Sequence, residues 1–131
     1  KTTITSNLNL NIKKMKHASL LKIKSDNETS TNLQEKLISD LGNEEIWLKD
    51  QDSFHSIEIN IFEIIIKNIV KLLPKLVDYL YNYSQSNKVD IEIEVKELDN
   101  TSIKLKYKMS KEDANKLVEP IFLKLKENFN E

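Results

Sequence analysis

Apolar residues concentrate in residues 57–83, and the other segments read as elements that cover that stretch. On a helical wheel at about 100° per residue, Ile65, Ile66, Ile69, Val70, Leu72, Leu73, Leu76, Val77 and Leu80 share one arc. Glu63, Lys67, Lys71, Lys75, Asp78 and Asn82 take the other side. The pattern predicts a long central helix over residues 61–83. Ile64 stands among the charges and is the exception. The residues just before, SIEIN at 56–60, alternate, so the strand-to-helix boundary ahead of Ile61 stays open. The apolar arc covers about half the circumference, wider than the ~100° stripe of a surface helix. Such an arc calls for a sheet on one part and a second helix or a partner chain on the rest. Pro74 removes a backbone donor and crowds the carbonyl of Val70, which predicts a kink or a break. The recurring charges argue against a transmembrane span; an amphipathic membrane-surface helix would carry the same pattern, and a core helix is the commoner reading.

Residues 7–12, NLNLNI, alternate as a half-buried strand, and KKMKH at 13–17 reads as a basic turn. Leu21 and Ile23 alternate with Lys22 and Lys24 in a second strand. Thr31 with Gln34 matches a capping box, and Leu33, Leu37, Ile38 and Leu41 make one face, predicting a helix over residues 32–41. Gly42 stands where a left-handed C-terminal cap belongs. Ile46, Trp47 and Leu48 read as a short strand or turn. In residues 88–109 two alternating runs face each other. A three-residue turn at Leu98, Asp99 and Asn100 pairs Val95 with Ile103, Ile93 with Leu105, and Ile91 with Tyr107. The outer pairs become Glu94 with Lys104, Glu92 with Lys106 and Asp90 with Lys108. Ser110 and Asp113 open a last helix, whose stripe runs from Ala114 through Leu117, Val118, Ile121, Phe122 and Leu125 to Phe129 and is bent at Pro120.

The expected architecture is therefore α+β. It has a largely antiparallel sheet and three helices, one long and central, packed on one face as a ferredoxin-like sandwich. At 131 residues the chain has the length of one domain, and residues 1–18 read as an added N-terminal strand and turn. It begins with Lys1 and not Met, which reads as a processed or recombinant product or a piece of a longer protein.

Composition narrows the chemistry. The net charge is −1, and all 20 basic residues are lysine. Without arginine there are no guanidinium forks for phosphate or guanine, which disfavours nucleic acid. The chain has no cysteine, which removes disulfides, thiolate metal sites and cysteine nucleophiles, and fits a cytoplasmic protein. One glycine is too few for a phosphate-binding loop. Glu44, Glu45, Asp50 and Asp52 lie near His55, but without the spacing of a calcium loop. His17 and His55 have no nucleophile elbow to serve. Trp47, Tyr79, Tyr81 and Tyr83 fit packing better than ligand stacking. The chain reads as non-enzymatic, with no cofactor, no metal and no transmembrane segment.

LLKIKS, the helix ending at Leu41, EIWLKD, the apolar helix from Ile61 and VDIEIEV followed by SIKLKYKMS come in a telling order. From Ser19 to Leu125 the chain resembles the effector-associated constant component domains of bacterial conflict systems. That family's Gly-rich entry to the long helix is replaced here by SFHSIEIN. The resemblance implies an adaptor that couples effectors, such as proteases or nucleotide-binding proteins, in bacterial antiviral defence, and it transfers no catalytic residue. The expected function is a protein-interaction module that binds a protein partner or self-associates. Trp47, His55, Ile66, Val70, Val77 and Tyr81 are the candidate contact residues. Two alternatives stand beside it: a small inhibitor or immunity-type protein that meets a toxin or nuclease through a charged face, and a small-ligand-binding α+β domain.

Overall fold

The structure is a computed structural model that describes residues 19–49 and 60–129. The expected strand at 7–12, the basic turn with His17, Asp50, Asp52, His55 and most of SIEIN lie outside the described residues. The described elements are β1 (Ser19–Lys24), α1 (Asn27–Leu41), a short 3₁₀ turn (Gly42–Glu44), β2 (Ile46–Leu48), β3 (Ile61–Ile66), α2 (Ile69–Asn87), β4 (Ile91–Val95), β5 (Thr101–Leu105) and α3 (Lys111–Phe129).

The five strands form one sheet in the order β2-β3-β1-β4-β5, and every neighbouring pair is antiparallel. The class is α+β. From β1 to β4 the elements follow the split βαβ order of ferredoxin-like sandwiches. The hairpin strand β5 and helix α3 are added after it.

Residues 61–66 are a strand, not the first turns of the central helix. The stretch IFEIII is five parts β-branched or aromatic, and such side chains lose rotamer freedom in a helix and pack well on a pleated sheet. Ile64, which broke the helical pattern, fits the strand. Phe62, Ile64 and Ile66 point to one face and are fully buried. Ile65 is 1% exposed although it points to the other face, so the usual alternation is hidden in a continuous apolar run.

The helix that follows starts at Ile69 and runs unbroken through Pro74 to Asn87. Pro74 is exposed near its start. Lys88 ends the helix in the left-handed conformation and donates its N–H to the Ser84 carbonyl. Helix α3 likewise continues through Pro120. Ser110 caps it as expected, its Oγ accepting from the Asp113 N–H at 3.1 Å.

Helix α1 begins four residues before the expected cap. The Asp26 carboxylate accepts the Thr29 N–H at 2.8 Å, which makes Asp26 the N-cap and leaves Thr31 inside the helix. Gly42 is right-handed, with φ −61°, and donates to the Ile38 carbonyl. The left-handed residue is Glu45, with φ 65°, placed after the 3₁₀ turn and just before β2.

One buried cluster joins Leu33 and Leu37 of α1, Ile69, Leu73, Leu76 and Leu80 of α2, and Ala114, Val118, Ile121 and Leu125 of α3 to the inward side chains of β1, β3, β4 and β5. The wide apolar arc of the long helix is thus covered within the chain. Its Val77 and Tyr81 are only 4% and 9% exposed.

The β4–β5 hairpin keeps both expected faces but is shifted by two residues. Ile93 pairs with Ile103, Ile91 with Leu105, and Glu92 with Lys104, while Glu94 faces Ser102. The connection takes residues 96–100, with Asp99 and Asn100 both left-handed. The longer loop lets Leu98 turn inward, where it is 4% exposed. Burying a leucine is worth about 1.5–3 kcal/mol, more than the roughly 0.2–1 kcal/mol of a further cross-strand charge pair. Leu98→Ala should therefore cost about 2–4 kcal/mol in urea unfolding. The compact turn would leave Leu98 exposed, and the substitution would then be nearly neutral.

Candidate functional site

The sheet face opposite the buried cluster carries the ordered charges. Because side chains alternate along each strand, the register determines which residues share that face. Lys22 lies opposite Glu63 on one side and Glu94 on the other, and Lys24 lies opposite Glu92. Glu92 in turn lies opposite Lys104. Lys49, just past β2, donates its backbone N–H to the Glu63 carbonyl and extends the row. Read across the sheet, the sign of charge alternates strand by strand. Lys49 beside β2 is positive, Glu63 on β3 negative, Lys22 and Lys24 on β1 positive, Glu92 and Glu94 on β4 negative, and Lys104 on β5 positive.

The ion pairs cross the strands as this order demands. Lys22 meets Glu94 at 3.3 Å, Lys104 approaches Glu92 at 3.9 Å, and Glu63 accepts from Lys49 at 3.2 Å and from Lys96 at 2.9 Å. Lys96 follows β4, and its backbone N–H donates to the Leu20 carbonyl. Its side chain therefore reaches across β1 to β3. Near β2 this face becomes apolar. Ile65 lies between its cross-strand neighbours Leu20 and Trp47.

Glu63 is the most enclosed of these carboxylates, with 17% of its side chain exposed. Partial burial alone pushes its carboxyl up. Hydrogen bonds from Lys96 and Lys49 outweigh that effect and hold it below the ordinary carboxylate range. A depressed folded-state value stabilises the fold above the unfolded value, and that contribution is lost as pH falls through the folded one.

Other polar contacts fasten the helices. Tyr79 donates to Asp40 at 2.8 Å, Lys75 meets Glu44 at 2.7 Å, and Lys111 meets Asp78 at 2.9 Å. Burial and the Asp40 carboxylate both raise the Tyr79 hydroxyl above its ordinary value. The Tyr81 hydroxyl donates to the Met109 carbonyl at 3.0 Å. These tyrosines lock elements together rather than offering stacking faces.

The expected contact residues do not form one patch. Ile66 is fully buried and Val77 nearly so, so neither offers a docking surface. Val70 is half-buried beside the same cluster, and Tyr81 is held by Met109. Trp47 is on the opposite face of the sheet, half-buried on β2. His55 lies outside the described residues. The charged rows on β1 and β3 are hidden in the sequence, because Glu63 falls on the polar side of the helical pattern that runs on from β3. The signal was present in the alternation of Lys22, Lys24 and Glu63 with apolar neighbours.

Among the described residues no group of three or more acidic or histidine side chains is placed to hold a metal. Glu44 and Glu45 are paired with Lys75 and Lys67. No helix among the described residues is long and apolar enough to cross a membrane. A shallow pocket of about 240 Å³ at the end of the charged face is lined by Lys24, Ser25, Asp90, Glu92, Lys104 and Lys106. It is smaller than the ~300–1,000 Å³ of typical small-molecule sites, and its polar wall is of mixed sign. Comparison with protein-family models, curated proteins and solved structures found no match.

Glu63→Gln should lower stability by about 1–2 kcal/mol at neutral pH, since two charge-assisted hydrogen bonds weaken in a partly enclosed site. Urea unfolding of both proteins across acidic pH checks this. The difference should shrink as the wild-type carboxylate is protonated. A constant difference at all pH values would mean that the charge of Glu63 contributes nothing.

Proposed function

We propose that this domain is a non-enzymatic protein-interaction module whose charged sheet face selects its partner. The observation that carries this reading is the strand-by-strand alternation of charge from Lys49 to Lys104. Ordered rows of opposite sign favour one register and one orientation of a docked surface and penalise others by like-charge contact. The resemblance of residues 19–125 to effector-associated constant component domains supports an adaptor that couples effectors in a bacterial defence or regulatory assembly.

A second reading draws on the same rows. A small inhibitor of the immunity type would meet a toxin or nuclease through them, with association steered by charge. The salt dependence separates the two. A steered inhibitor associates much more slowly as salt screens the rows, whereas an adaptor that docks by register loses affinity mainly through faster dissociation.

Tagged protein should capture a stoichiometric protein partner from its source cells, and Glu92→Lys with Glu94→Lys should lose it while remaining folded by circular dichroism. Failure of the wild-type protein to retain any stoichiometric partner at low salt would refute the interaction reading.

A further inference from the structure

The alternation of charge ends on an edge. Strand β5 pairs with β4 on one side, and among the described residues no strand pairs with its other side. An edge strand presents a row of unpaired N–H and C=O groups, which can template a further strand. On β5 that row is flanked by exposed Lys104 and, just past the strand, exposed Lys106. Each row of the face lies beside a row of opposite sign, so acidic side chains on an added strand would continue the pattern beyond the lysines of β5.

The inward side also has a feature at this edge. Ala114, Val118, Ile121 and Leu125 turn α3 toward the buried cluster. Asn115, Glu119 and Phe122 line its crevice with Pro74, Val77 and Asp78 of α2. At about 100° per residue, Leu117 falls on the flank of α3 away from α2, and it is 40% exposed. Helix α3 also contacts β5, the outermost strand on that side. Leu117 therefore extends the apolar layer toward the edge, where a further strand would place its inward side chains.

We propose that the free edge of β5 captures an extended partner segment that alternates acidic and apolar residues. The segment adds as a sixth strand by backbone pairing. Its acidic side chains lie beside Lys104 and Lys106, and its apolar side chains rest beside Leu117. A second copy of this chain is disfavoured, because joining two β5 edges would bring lysine rows together. The inference rests on the interaction reading above and names the chemistry of the partner.

The test uses a short fluorescent peptide alternating glutamate with valine or isoleucine, and a counterpart with lysine in place of glutamate. The acidic peptide should bind at least about tenfold more tightly than the basic one at low salt. Lys104→Glu with Lys106→Glu should weaken it by at least about tenfold, and Lys116→Glu on the solvent side of α3 should leave it unchanged. Hydrogen exchange should show that alternate β5 amides exchange freely in the unbound chain and slow on binding. Equal or undetectable binding of the two peptides would overturn the proposal. So would β5 amides already protected in the free chain, which would mean that its own residues, such as 7–12, fill the edge. Protection that appears with concentration-dependent dimerisation would replace the partner segment by a second copy. If the cellular partner of the preceding section is captured equally by the Lys104→Glu, Lys106→Glu protein and the acidic peptide does not bind, the edge proposal falls and the interaction reading stands. If no cellular partner is captured but the acidic peptide binds at β5, the edge proposal stands on its chemistry and the broader reading falls.

Discussion

Strand β1 has no free edge. It is paired along its whole length with β3 and along most of it with β4, so its register must satisfy two neighbours at once. Leu21 and Ile23 are fully buried on one face, and on the other Lys22 lies opposite Glu63 and Glu94 and pairs with Glu94. A one-residue slip against either neighbour would bring lysine to the buried side and leucine to the charged side. The cost of burying an unpaired charge is far larger than any single surface ion pair returns. The sheet register, the gathering of the apolar side chains into one buried cluster and the alternation of charge on the other face all depend on this one strand.

The charges of the outer face therefore act mainly as selectors. Their pairs are mostly exposed and individually weak. Glu63 is the exception, because it is partly enclosed and accepts from two lysines anchored on different sides of β3. It links the end of β2 to the turn after β4 across β3 and β1. The same ordering that excludes wrong registers within the chain gives the surface a definite pattern for a partner to match.

Much of the fold was legible in the residues. The apolar faces of β1, β4 and α3, the cap at Ser110 and the α+β class all follow from local pattern. Two of the larger features did not. The strand Ile61–Ile66 is apolar on both faces, so its period of two disappears and the neighbouring helix absorbs it. The hairpin register was ambiguous because a shift of two residues preserves every face. It was decided by Leu98, whose burial depends on the tertiary core and not on the turn sequence. Of the candidate contact residues, Ile66, Val70 and Val77 belong to the apolar arc that reads as too wide in sequence, and they pack into or against the buried cluster of the chain itself. The charged face became apparent only when the strand order placed Glu63 next to Lys22.

The central role of β1 is tested most directly by native-state hydrogen exchange. The amides of Leu21, Lys22 and Ile23 should exchange only with the free energy of global unfolding, in step with their neighbours on β3 and β4. Exchange of these amides at a free energy well below the global value, while β3 stays protected, would contradict the account and place the organising constraint elsewhere in the sheet.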